Sequence, residues 1–111
     1  MISYQEFRRV WLDALEIDDV DQYIAEVGGS LDAGGLRRTI QLLADVHRLA
    51  RGDVREMRAL AGISQAEFAR RYAVSASTLN KWEMGISAPS EWARQLLAYA
   101  LIGDAIEGED P

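Results

Sequence analysis

Three strong helix N-caps stand eleven residues apart in this chain, at Asp53, Ser64 and Ser75. Asp53-Val-Arg-Glu56 and Ser64-Gln-Ala-Glu67 are capping boxes, in which the first side chain and the acid three residues on satisfy each other's free backbone N–H groups. That spacing leaves each helix two turns and each connection two or three residues. Gly62 closes the first helix, Ala73-Val74 occupies the tight turn between second and third, and Gly85 closes the third, which covers Ala76 to Met84. Short helices joined by so tight a turn must cross steeply, which predicts a helix-turn-helix arrangement.

The remainder also reads as helix. Apolar residues recur at three and four rather than alternating, and only two prolines interrupt 111 residues, so the predicted class is all-α. Tyr4, Phe7, Val10, Trp11, Ala14 and Leu15 share one face of a helix opened by Ser3 with Glu6. A shorter helix runs from Val20 to Val27 and stops at Gly28-Gly29. A third, Leu36 to Ala50, places Leu36, Ile40, Leu43 and His47 on one stripe with Leu42, Val46 and Leu49 beside it, an arc broad enough to be buried on two sides. The expected organisation is an N-terminal helical segment over 1–52, the helix-turn-helix part over 53–102 with a last helix from Trp92 to Ile102, and an acidic tail over 103–111.

Charge is distributed unevenly. The net charge is −6, and an acidic chain ordinarily disfavours nucleic acid because phosphate attraction dominates that affinity. Residues 1–34, however, already carry −6, residues 54–98 carry +2, and the tail holds four further acids. The absence of cysteine excludes disulfides and cysteine zinc sites. The first residues lack a basic region followed by an apolar one, and no apolar run approaches the ~18 residues of a membrane span, so a soluble, cytoplasmic chain is expected. No enzymatic constellation emerges, and no cofactor or metal is expected. His47 has no partner at a recognisable spacing and reads as a hydrogen-bonded core residue. Asp18, Asp19 and Asp21 lack the ligand and glycine positions of a calcium loop. Gly29-Ser-Leu-Asp-Ala-Gly34 has the glycine spacing of a phosphate loop without its lysine, hydroxyl or preceding strand, and reads as a flexible connection.

From Arg58 to Pro89 the residues resemble the Xre family of lambda-repressor-like DNA-binding domains. The resemblance extends from about Val54 to Leu101. It rests on Ser64-Gln65, Phe68-Ala69, Val74-Ser75, Thr78-Leu79, Trp82-Glu83, Gly85 and Pro89 at the family's spacing. Trp82-Glu-Met-Gly-Ile-Ser-Ala-Pro89 and Ala93-Arg-Gln-Leu-Leu97 are further similar to a subgroup that includes many antitoxins of toxin–antitoxin pairs. The resemblance implies a five-helix-type domain, Ala76 as a base-facing position, Gln65 as a phosphate clamp, and an internal ion pair between Arg58 and Glu83.

The chemistry of the third helix agrees with that reading. With Leu79 inward, Trp82 and Glu83 lie within about 60° of it, while Ser77, Asn80, Lys81 and Met84 lie about 100° to 200° away. The outward set is small and polar with one cation, suited to a major groove roughly 12 Å wide. Asn80 matches adenine, Lys81 matches guanine acceptors, Ser77 serves an edge or phosphate, and Ala76 fits a thymine methyl. Ser75 caps the helix, and Gln65 opens the second helix, where free N–H groups favour a phosphate. Arg70 and Arg71 read as a wetted face, and Trp82 and Trp92 as core or packing residues. The expected function is a sequence-specific DNA-binding repressor acting on double-stranded DNA as a homodimer. The competing reading is an antitoxin that binds a toxin and regulates its own operon. On either reading the domain after Asp53 looks complete, so the Tyr4-to-Leu15 stripe is expected to bind a second copy or a basic partner protein, with the Trp92-to-Ile102 helix as the rival dimer surface.

Overall fold

The computed structural model describes residues 2–109, with side chains as far as Ile106. Seven helices follow one another: α1 Tyr4–Glu16, α2 Val20–Gly28, α3 Leu36–Arg51, α4 Val54–Ala61, α5 Gln65–Arg71, α6 Ala76–Glu83 and α7 Glu91–Glu109. Among the described residues there is no strand. Among these residues no helix is long and apolar enough to cross a membrane.

Side chains start most of these helices. The oxygens of Ser3, Asp19, Asp53, Ser64 and Ser75 each accept the backbone N–H three residues on, at 2.8–3.2 Å. α3 lacks such a cap. Instead Asp32 accepts the N–H groups of Gly34 and Gly35 at 3.0 and 2.9 Å, in a turn where both glycines have φ above +100°. These two donors hold the Asp32 carboxyl below its usual pKa.

α1 and α2 pack on α3, and α7 lies against α1, α3 and α4. Phe7, Val10, Trp11 and Ala14 of α1, Leu43, Val46 and Leu49 of α3, Met57 of α4, Phe68 of α5, Leu79 of α6 and Ala98 of α7 have no exposed surface and belong to one continuous core. Phe7, Val10, Trp11 and Ala14 of the α1 stripe are therefore spent in this core, while its last member, Leu15, is 41% exposed. Helices of seven or eight residues bury little by themselves, and α7 carries apolar residues on more than one side, so the first half of the chain completes the core of the second. On α3 the expected arc is buried at Leu42, Leu43, Val46, His47 and Leu49, whereas Leu36 and Ile40 remain exposed toward the loop end. His47 is buried, and its Nε2 donates to the Ile17 carbonyl at 2.9 Å. The helix expected to stop at Ile102 continues through Gly103 to Glu109.

One guanidinium joins the two halves. Arg94 on α7 donates through Nη2 to the carbonyls of Leu49, Ala50 and Gly52 at 3.1, 3.2 and 2.8 Å, closing the C-terminal end of α3. Its other nitrogen, Nη1, reaches Glu91 at 2.8 Å, and the group lies 5.5 Å from the centre of the Trp11 ring. The indole N–H of Trp11 donates to Glu91 at 2.7 Å.

Two outcomes follow. Arg94→Ala takes a donor from three carbonyls at a helix end, of which Leu49 keeps only the Gly52 N–H, and lowers unfolding free energy by roughly 2–4 kcal/mol, against less than about 0.5 for exposed Arg55→Ala, measured by urea denaturation. A chain begun at Asp53 uncovers Ala98, Leu101 and Ile102 of α7 and loses cooperative thermal unfolding; a sharp transition matching that of the full chain would contradict the shared core.

Candidate nucleic-acid interface

The surface that projects from this scaffold is built by α5, the turn after it, and α6. Gly62, at φ 66°, ends α4 in the left-handed conformation, with its N–H on the carbonyls of Arg58 and Ala59. Ser64 then starts α5 at once. Phe68 on α5 and Leu79 on α6 are fully buried, so these two residues set how the helices lean on the core.

The turn between the helices bends at Ala73. Its φ is +55°, and no other non-glycine residue among those described has a positive value. Tyr72 N–H and Val74 N–H complete the turn on the carbonyls of Phe68 and Ala69, both at 3.0 Å. A β-carbon in this conformation carries a steric penalty that glycine avoids. Burial and the Asp104 carboxylate, which accepts the Tyr72 hydroxyl at 2.9 Å, push the Tyr72 pKa up, and Arg71 opposes them.

Arg58 and Glu83 fix the far end of α6. Arg58 Nε and Nη2 meet the two carboxylate oxygens of Glu83 at 3.0 and 2.8 Å, and Nη1 donates to the Ile63 carbonyl at 3.4 Å. The pairing raises the Arg58 pKa. Burial is unequal: the Glu83 side chain is 5% exposed and that of Arg58 is 32%. The carboxylate is thus the member that depends on its partner.

Ser77, Asn80 and Lys81, turned away from Leu79, are exposed, and so are Ser75 and Ala76 at the start of the helix. Ser75 is occupied by the helix start, accepting from Thr78 N–H and donating to the Thr78 hydroxyl at 2.8 Å. The Asn80 amide donates to Met84 Sδ at 3.3 Å. Lys81 has no ion pair among the described residues. Gln65 is half-exposed at the first position of α5. Arg70 and Arg71 are both engaged by Glu67, Arg70 in two-pronged fashion with its shortest contact at 2.6 Å, and Arg70 foremost holds the Glu67 carboxyl below its usual pKa.

Met84 takes the outward place expected of it, and Ile86 extends the exposed surface beyond the expected set. Met84 is 61% exposed at the end of α6, and Ile86 is 66% exposed with its N–H on the Lys81 carbonyl at 2.9 Å. Met84 was legible from its angle on the helix; Ile86 lies past the closing glycine, where helical periodicity gives no direction. Trp92 corrects an expectation: it is 69% exposed and outside the core, whereas Trp82 is half-buried. A side chain so large reads as core from its composition, but α7 buries its opposite flank.

Arg58→Ala strands a buried carboxylate and costs ~3–5 kcal/mol, while Glu83→Ala leaves a guanidinium that reaches water and costs about 1–2; the double variant costs less than the sum in denaturant titrations. Ala73→Gly relieves the strained turn by more than it loosens the unfolded chain and gains roughly 0.5–1 kcal/mol in the same measurement.

Residues 54–91, from α4 to the first residue of α7, match the helix-turn-helix family model. Searches of curated proteins and of solved structures gave no match. With two short helices crossing through a strained tight turn, an inward pair locking the second and a polar outward face, the chain carries a lambda-repressor-like helix-turn-helix domain of the Xre type, the domain of DNA-binding transcription regulators.

Proposed function

We propose that this regulator is a sequence-specific repressor that lays α6 in the major groove of an inverted-repeat operator. The observation that carries the reading is the division of α6 into an inward side, anchored by Leu79 and the Arg58–Glu83 pair, and an exposed polar side of Ser77, Asn80 and Lys81. A helix with side chains is about 10–12 Å across, the width of the major groove. Asn80 pairs with an adenine edge, Lys81 with guanine, Ala76 meets a thymine methyl, and Ser75 and Gln65 hold phosphates on either side. A single such module touches too few base pairs to select a site, so two copies act on half-sites about one helical turn, roughly 34 Å, apart. This role places the chain in the cytoplasm with the DNA.

A second reading has its own support. Glu16, Asp18, Asp19, Asp21 and Glu26 are exposed on and between α1 and α2, beside the partly exposed Leu12, Leu15 and Val20. Acid mixed with apolar surface suits a basic protein, such as a toxin that an antitoxin neutralises while its helix-turn-helix regulates the operon. Co-purification of a stoichiometric basic polypeptide from the native host, lost on charge reversal at Asp18 and Asp19, separates this reading from an autonomous repressor.

Selection of bound fragments from genomic DNA tests the main reading. On the selected operator, Asn80→Ala or Lys81→Ala costs roughly 1–3 kcal/mol, with far smaller losses on random DNA, and affinity falls steeply with salt. Equal losses on both DNAs would mean that these side chains read no bases.

A further inference from the structure

We propose that the hollow between the α3–α4 corner and α6 binds a compact organic cation, an ammonium group carried on a single ring, with its charge on Asp53 and its ring against Trp82. The hollow shares no residue with the polar face of α6, so the site stands apart from the reading of DNA. Its volume is about 210 Å³. At the roughly 30 Å³ that each molecule occupies in liquid water, that is space for about seven waters, or for one ring with a short arm. It falls below the ~300 Å³ at which pockets for drug-sized molecules begin, so the ligand is small.

Most of the wall is apolar. Val54 opens α4, Trp82 belongs to α6, and Ala88 and Pro89 lie in the connection from α6 to α7. On the remaining side is Gly52, whose carbonyl is held by Arg94 Nη2 at 2.8 Å. The hollow is therefore formed before any ligand arrives, and little has to be ordered on binding.

Charge selects the ligand. Two ionic side chains border the hollow, Asp53 and Arg94, and they are not equivalent. Arg94 is spent, with Nη1 on Glu91 and Nη2 on three carbonyls, so its charge is balanced in place. Asp53 uses one carboxylate oxygen to accept the Glu56 N–H at 3.2 Å, and it has no ion pair among the described residues. The unspent charge is negative, and the indole of Trp82 adds a second attraction for a cation. An anion is repelled here, and a neutral ring gains the apolar wall but leaves the carboxylate unused.

The position of the site gives binding a consequence. Gly52 and Asp53 belong to the corner at which the first half of the chain hands over to the second, and Trp82 belongs to the helix that carries Asn80 and Lys81. A ligand seated here ties that helix to the frame.

The test uses the full chain without DNA, so its outcome does not depend on what the outward face of α6 reads. Amide NMR spectra follow titration with benzylamine, a cation at neutral pH, and with benzyl alcohol, a neutral molecule of nearly the same shape. Benzylamine saturates with a Kd of about 1 mM or tighter and moves the signals of Val54, Ala88 and the Trp82 indole N–H, whereas benzyl alcohol binds roughly 3- to 10-fold more weakly. Asp53→Asn keeps an oxygen to cap α4, so the fold persists, and it removes the difference between the two probes. Ala88→Leu fills the hollow from an exposed loop position and weakens both. The absence of saturable shifts at these residues overturns the proposal. So do equal affinities of the two probes for the parent, an Asp53→Asn variant that still prefers the amine, or an Ala88→Leu variant that binds as the parent does.

Discussion

The contact on which the rest of the molecule depends is the guanidinium of Arg94 against the end of α3. Helix ends leave carbonyls without partners, and three of them, at Leu49, Ala50 and Gly52, converge on one nitrogen of Arg94. The same side chain lies over Trp11 and bonds Glu91, which itself holds the Trp11 indole. Helices α1, α3 and α7 are thereby fixed at one point, and the direction of the chain leaving α3 is fixed with them. Gly52 is the consequence: a β-carbon there would lie 2.9 Å from the Arg48 carbonyl and 2.8 Å from Glu56 Cγ, so the backbone passes where no side chain fits. Arg48 and Glu56, 2.6 Å apart across the same corner, tie α3 to α4. The helix-turn-helix thus begins from a corner that the first half of the chain builds.

Most of the arginines whose contacts define this architecture are spent within the protein. Arg51 closes the end of α1 through the carbonyls of Ala14 and Leu15 and pairs with Asp18. Arg58 holds Glu83, and Arg70 and Arg71 share Glu67. On the outward side of α6 this leaves Lys81 as the cation. In the proposed complex, discrimination on this face comes from polar contacts to base edges. The acids of α1 and α2 belong to helices that pack on α3, and for α1 also on α7, not to α5 and α6.

Local signals were strong in the sequence because their physics is local. A serine or aspartate that accepts an N–H three residues on needs nothing from the rest of the chain, so the starts of α1, α4, α5 and α6 were legible residue by residue. The outward direction of Ser77, Asn80 and Lys81 followed from one assumption, that Leu79 points inward, and Leu79 is fully buried. The start of α3 was less legible, since Asp32 secures it from within the preceding loop rather than from the cap position.

The sequence by itself determined an all-helical chain, the places where its short helices begin and end, and the polar face that one of them presents. Those depend on interactions within a few residues. Only the tertiary structure decided that the first 52 residues share a core with the rest, that Arg94 adds a polar tie between the halves beside that core, and that Trp92 stands outside while Trp11 is sealed in. Periodicity states that a helix has an apolar side, but which neighbour covers it depends on residues as much as 97 positions apart, such as Ile2 and Tyr99, meeting in space.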